Sequence, residues 1–450
     1  MIDSSTTSGA KRRRRLSYAI SVAVLVLVAA GAIAVWRWAA PPNVLIVSID
    51  ALRPDHLGVY GYERPVSKQI DRFATEGTRF TDAISQGTWT LPSVTSLFLS
   101  RYVSTHGIEA TRGSSIPEEE ETLAEIFRAH GYDTSAVTIG GFTSREFGMA
   151  QGFDTFVSEP MGGGRRVAVM REWISSRWRP FFLYAHFVDV HYPYEQENPY
   201  GENYGRDYRG PVDGRQPLGP LAAEIGGEDL QHLVDLYDNG VAYADFKFGE
   251  LLAWLHESRL DRNTIVILTA DHGEAFKEHG AMLGHRGVPY EELIRVPLIL
   301  RGPGVPAGRV LTTPVEQIDL APTILELCGF DPATQMQGRS LRPLLEGATA
   351  HKPYTFSEML LLEQKAVRGG GWKLIADYRG GQHQLFDLGA DAREQRNLAA
   401  EKPEIVERLL GELDRHSTAN LAARRRGEAS PAEVRPETRE QLRALGYGEE

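Results

Sequence analysis

Cysteine is nearly absent from this 450-residue chain: Cys328 is the only one. A single thiol excludes an intrachain disulfide and any zinc site built on paired cysteines, so a metal would have to be held by carboxylate, imidazole or hydroxyl groups. An excess of positive charge is missing too. The formal net charge is −11; residues 1–42 hold Lys11, Arg12 to Arg15 and Arg37 against Asp3, which leaves residues 43–450 at −16. Such an acidic body argues against nucleic acid as its partner. With 42% hydrophobic and 24% charged residues, the chain is neither disordered nor collagen-like, nor a polytopic membrane protein.

One long uncharged run does occur, the 21 residues Leu16–Trp36. At about 1.5 Å per helical residue it spans roughly 30 Å, the thickness of a bilayer core. The arginine cluster before it predicts a cytoplasmic basic tail over 1–15 and a transmembrane signal-anchor helix over 16–38, with Trp36 and Trp38 at the far interface. The body is then sent out of the cytoplasm, to a periplasmic or extracellular location. A cleaved signal peptide is the alternative, but its apolar region would be only ~7–15 residues long and end at a small-residue site, whereas this run ends in Trp-Arg-Trp.

After Pro41-Pro42 the pattern changes. Asn43–Ile49 is a continuous apolar, β-rich run that ends at Asp50, and similar runs recur at Phe181–Phe187, Thr264–Thr269 and Val296–Leu300. Helix-like stretches lie between them, over Lys68–Glu76, Glu121–Ala129, Leu230–His256 and Ile318–Leu327. Alternation of this kind predicts an α/β fold, a mostly parallel central sheet with helices on both faces. Ligands of such sheets gather outside the carboxyl ends of the strands, so Asp50 and Asp271 are expected to converge although far apart in sequence. Gly162–Gly164 and Glu195–Gly227 read as surface loops near the site mouth. The divisions expected are a catalytic domain over 43–345, a small α+β C-terminal subdomain over 350–416, and a charged tail over 417–450 that is a solvated helix or a flexible end.

Four segments carry chemistry. Asp50 follows a strand and could hold a hard cation, although taken alone it reads more readily as a helix cap. Thr90 precedes a helical pattern with Pro92 in its first turn, a place where an anion is stabilised and a hydroxyl could be activated; alone, it is an N-cap. His186, Asp189 and His191 follow the strand Phe181–Phe187 and suit metal or oxyanion contacts, or a satisfied loop network. Asp271-His272 after Thr264–Thr269 offers a carboxylate and an imidazole to one ion, while His285 and Arg286 suit anionic oxygens.

Together, NVLIVSIDALRPDHLGVYGY from Asn43, TLPSVTSLFLSRYVSTHG from Thr90, FVDVHYPY from Phe187, ILTADHGEAFKEHG from Ile267 and GHRGVPYEELIRVPLILRGPG from Gly284 resemble the sulfatase branch of the alkaline phosphatase superfamily. LFDLGADAREQRNLA from Leu385 is similar to that family's terminal subdomain. The resemblance covers about residues 43–415. It implies hydrolysis or transfer of sulfate or phosphate esters of glycans, lipids or small molecules at one divalent metal ion (Mn, Mg, Zn or Ca), with a second ion unassigned among His186, Asp189, His191 and His279. It places Asp50, Thr90, Asp271 and His272 on the metal, Thr90 at the nucleophile, His191 on the substrate, and Arg286 where many sulfatases have a substrate-binding lysine, with His285 beside it. Two departures stand out. Formylglycine sulfatases need Cys or Ser in a C/S-x-P-x-R pattern, whereas here Thr90 and Val94 fill the first and last positions, and a threonine would oxidise to a ketone. Ala51 also replaces an acidic residue. Threonine nucleophiles resemble the phosphodiesterase and phosphomutase relatives, which favours phosphoester chemistry. A sulfuric ester hydrolase without formylglycine, a non-catalytic binding pseudo-enzyme and a structural envelope protein are the alternatives.

Overall fold

The computed structural model describes Tyr18 and residues 41–109, 114–201, 203–280, 282–424 and 432–447. The basic tail over 1–15 and, apart from Tyr18, the anchor over 16–38 lie outside the described residues. Among those described, no helix is long and apolar enough to cross a membrane. Asn43–Glu450 forms one compact unit, so the two divisions expected over 43–345 and 350–416 are packed together.

Its centre is a nine-stranded sheet. The strands are β1 (Asn43–Ile49), β2 (Thr78–Ile84), β3 (Asp133–Thr138), β4 (Thr155–Ser158), β5 (Phe181–Phe187) and β6 (Thr264–Thr269); after a two-residue hairpin, β7 (Ala275–Phe276) and β8 (Leu283–Gly284), come β9 (Arg295–Arg301), β10 (Arg309–Leu311) and β11 (Val315–Glu316). They lie in the order β10-β2-β9-β6-β1-β5-β3-β4, with β11 also on β2. All pairings are parallel except those of β9, which runs antiparallel to both β2 and β6. β1, β5 and β6 are buried on both faces along nearly their whole length, which explains their unbroken apolar sequences. Helices form two packed groups. Lys68–Thr75 and Gly163–Ser175 pack on Gly227–Glu257, while Thr90–Leu99 packs on Leu123–Ala129 and Leu320–Leu327. These are the two layers that a sheet apolar on both faces requires.

Several boundaries differ from expectation for identifiable reasons. The helix expected from Glu121 begins at Leu123 because Thr122 is its cap, in a reciprocal capping box with Glu125; a cap of this kind contributes ~1 kcal/mol. Gly162–Gly164 is a helix start rather than a loop. Gly162 is the N-cap and the helix runs Gly163–Ser175. A Cβ on Gly163 would lie 3.0 Å from Lys247 and Tyr243 of the facing helix, so glycine here permits close packing. Glu195–Gly227 is mostly loop, interrupted by the helix Leu218–Glu224.

The C-terminal subdomain is a four-stranded antiparallel sheet, β12 (Thr355–Met359), β13 (Gln364–Gly369), β14 (Trp372–Asp377) and β15 (Gln384–Asp387). Val367, Leu374 and Leu385 pack on Leu409 and Leu413 of the helix Pro403–Ala423. That helix runs beyond 416 into the region expected to be tail. The tail does contain a helix, Pro436–Ala444, but a docked rather than a solvated one, held against the body by Leu442 and by a bond from the Gly141 N–H to Gln441 Oε1 (3.1 Å).

Glu109 is buried where the subdomain meets the larger domain, and accepts a hydrogen bond from the Leu361 N–H at 3.1 Å. Burial pushes its carboxyl from the ordinary 4.5 up to about 8. Between those values the folded chain holds a proton that the unfolded chain has lost, so stability falls as pH rises through this window. Glu109→Gln, neutral at every pH, should raise the melting temperature relative to wild type at pH 8.5 and leave it unchanged at pH 5. Equal shifts at both pH values in thermal denaturation would contradict this.

Candidate active site

Parallel register builds the site. Ser48 of β1 lies beside His186 on β5 and Thr269 on β6, so the residues just past these strand ends, Asp50 and Asp271, arrive at the same height. Asp50, Asp271 and His272 each present one ligand atom within 4.8 Å of the others, all buried. His272 Nε2 stands 3.3 Å from Asp50 Oδ1 and 3.4 Å from Asp271 Oδ2. Its Nδ1 donates to the Gly273 carbonyl at 2.8 Å, which directs the Nε2 lone pair inward. The helix Thr90–Leu99 begins at the same point, and Thr90 Oγ1 lies 3.3 Å from His272 Nε2.

These groups fit a divalent cation. Asp50 Oδ1 and Asp271 Oδ2 are buried oxygens with no hydrogen-bond partner, a costly state unless a positive charge stands between them. Electrostatics agrees. Burial alone would raise the pKa of Asp50, but His191 and His186 hold it far below the carboxylate range. Burial and the Asp50 charge push Asp271 up. His272 is raised because Asp271 and Asp50 outweigh its burial. Two carboxylates and an imidazole compete for protons in a space that one cation would neutralise. The set is O, O, N with a hydroxyl, suited to Mn, Mg or Zn and less to Ca.

His186, left open as a second-metal ligand, instead supports Asp50: its Nε2 lies 3.0 Å from Asp50 Oδ2 and its Nδ1 2.9 Å from the Tyr184 hydroxyl. Asp189 is paired with the buried Arg166 at 2.6 Å. His279 sits away from the centre, 2.7 Å from Glu292 and stacked on Tyr290. Among the described residues, only one group could hold an ion.

The residues expected on the substrate gather on one side. The His285 ring lies 4.5 Å from His272 and 4.9 Å from His191. Burial lowers the pKa of His285 to about 4 against the opposing charge of Glu274, whose Oε1 lies 3.1 Å from His285 Nδ1. The Arg286 guanidinium lies 4.9 Å from the Trp89 ring, beside Thr90, on a backbone turned to φ +69°. Ala51, also left-handed at φ +59°, donates its N–H to Asp271 Oδ1 at 3.3 Å, so the backbone here orients a carboxylate. Sequence reasoning missed three members: Glu274, two residues after His272 and hidden among charged neighbours; His186 in its supporting role; and Tyr447, which comes from the tail.

Comparison with known proteins gives the family and the fold. The Sulfatase family matches residues 42–163 and 167–330, and the N-sulphoglucosamine sulphohydrolase C-terminal family matches 278–419. The chain therefore belongs to the Sulfatase family and is an ester hydrolase by class. It is 25% identical over 416 residues to a Delta 4,5-hexuronate-2-O-sulfatase of Bacteroides thetaiotaomicron, covering 80% of this chain and 84% of that one. It is 25% identical over 457 residues to human Arylsulfatase K, covering 85% and 83%. The fold is shared with a protein solved in complex with its substrate D-glucosamine-2-N,6-O-disulfate (TM-score 0.67, 19% identity, 84% of this chain and 99% of that one). It is shared equally with the phosphonate monoester hydrolase of Agrobacterium radiobacter (TM-score 0.68, 19% identity, 88% and 100%).

Proposed function

We propose that this Sulfatase-family hydrolase is metal-dependent and uses Thr90 as its nucleophile, with phosphoesters favoured over sulfate esters. The observation that carries this is the position of the Thr90 hydroxyl, at a helix N-terminus and beside His272 and the two unpartnered carboxylate oxygens of Asp50 and Asp271. A divalent ion held by Asp50, Asp271 and His272 would supply Lewis acidity to the hydroxyl and to the transferred group. Thr90 Oγ forms a bond to phosphorus in line as the bond to the ester oxygen breaks. The Thr90 proton ends on the departing alkoxide, while His191 and His285 support the oxygens of the transferred group. Water then attacks phosphorus, releasing phosphate and restoring the hydroxyl. Arg286 orients the non-bridging oxygens.

The preference for phosphorus follows from the side chain. An aldehyde hydrate can expel a bound sulfate with its second hydroxyl, whereas Thr90 carries a methyl there, so the esterified residue can be cleared only by attack at the central atom. A sulfate substrate is the second reading, supported by relatives named for sulfated sugars. The uncharged run before Pro41 supports anchoring of the catalytic unit outside the cytoplasm, where esters of glycans or lipids are accessible. The test is a matched panel of aryl sulfate, phosphate monoester and phosphodiester assayed with each of Mn, Mg, Zn and Ca. We expect metal-dependent turnover, fastest on a phosphoester. Turnover of the sulfate alone would overturn the phosphoester preference, and full activity in chelator would overturn metal dependence.

A further inference from the structure

The tail that the sequence presents as a charged, solvated end delivers a side chain into the active site. After the helix Pro436–Ala444 the chain turns at Gly446 (φ +86°), where an added Cβ would lie 3.0 Å from the Tyr192 ring, and brings Tyr447 to the histidines. The Tyr447 hydroxyl is 2.7 Å from His285 Nε2 and 3.4 Å from His191 Nε2, with the Thr90 side chain also in reach. Its ring meets Phe142 edge-on at 4.7 Å, and the Arg286 guanidinium lies 5.8 Å from its centroid. Only 7% of Tyr447 is exposed.

We propose that Tyr447 is a catalytic residue of this site, its phenol hydroxyl hydrogen-bonding an oxygen of the group transferred from the ester; this rests on the ester-hydrolase reading and extends it. The carboxylate of Glu274 faces His285 Nδ1 and places the imidazole hydrogen there, so Nε2 accepts and Tyr447 donates. A phenol is protonated at neutral pH. An anionic oxygen arriving at Thr90 is a stronger acceptor than a neutral imidazole, and the O–H turns to it without movement of the ring.

A removable plug would need a weakly held segment, and this one is held at several points. Leu442 and Tyr447 belong to the same apolar core as the central sheet. Arg435 and Thr438 both bond Glu146, the latter at 3.0 Å, and Gln441 accepts from the Gly141 N–H. The segment is thus a wall of the site.

The test is Tyr447→Phe in the full-length, metal-loaded protein, which keeps the ring and removes the hydroxyl. Orthovanadate, an oxyanion that mimics the transferred group, serves as the binding probe, beside turnover of the ester panel. Expected are a melting temperature equal to wild type, vanadate affinity lowered about tenfold or more, and kcat lowered about 10–100-fold with KM within about threefold. Leu442→Ala loosens the docking helix without touching the phenol, and should lower the melting temperature while leaving kcat within about threefold. Unchanged vanadate affinity, a rise in kcat/KM, or a Leu442→Ala variant that reproduces the kcat loss would overturn the assignment. Lost vanadate affinity supports it even if no ester of the panel is turned over.

Discussion

Thr90→Ala should reduce turnover by about 10³-fold or more while leaving the fold intact, because removal of a nucleophile eliminates the covalent route rather than weakening a contact. Thr90 is fully enclosed, with 4% of its surface exposed, yet its hydroxyl supports no element of the fold: the helix Thr90–Leu99 has Trp89, not Thr90, at its cap and lacks a side-chain cap bond. Alanine keeps the Cβ and favours the helix, so the expected stability change is within ~1 kcal/mol. Thr90→Ser restores a hydroxyl at the same place and should retain activity within about tenfold. Steady-state kinetics on the best substrate of the panel decides the matter, with circular dichroism to show that both variants are folded.

Asp271→Asn is the second large effect, and it should act in opposite directions with and without metal. In the metal-free protein, burial and the charge of Asp50 disfavour ionisation of Asp271, and Asp271 Oδ2 has no hydrogen-bond partner. Asparagine removes that repulsion, so the metal-free variant should melt at or above the wild-type temperature. With Mn or Zn added, wild type should gain stability by mass action, and the variant should show little shift. Loss of even an outer-sphere partner of a metal site costs about 10–100-fold in affinity or activity, and loss of a direct ligand should exceed that. Isothermal titration with each metal, paired with melting curves, checks both halves. A variant that binds metal as wild type does would remove Asp271 from the site.

The parts of this structure that were legible in sequence are those with short-range signatures. β1, β5 and β6 are apolar from end to end because both faces are covered, and the strand-end rule then brought Asp50 and Asp271 together. β2 was not legible. Its sequence TRFTDAI alternates buried and partly exposed positions, and its partner β9 is the reversed strand of the sheet. β3, DTSAVT, is buried but built of small and hydroxyl side chains that resemble a loop. The site divides the same way. His272 and His285 sit in recognisable motifs, but Glu274's bond to His285 depends on the β7–β8 hairpin folding back, which juxtaposes residues 274 and 285. Tyr447 depends on a helix with only Thr438 and Leu442 buried, a pattern too sparse to distinguish docking from solvation. Its partner His285 is 162 residues away, and nothing local signals the pairing.

Thr90 as a covalent nucleophile is tested most directly by mass spectrometry of the acid-quenched protein during turnover of a phosphoester. The phosphoryl group is predicted on Thr90, in the peptide that continues Leu91-Pro92-Ser93, and is expected to be absent from Thr90→Ala. An unmodified Thr90 in protein quenched at full turnover, with Thr90→Ala equally active, would contradict it.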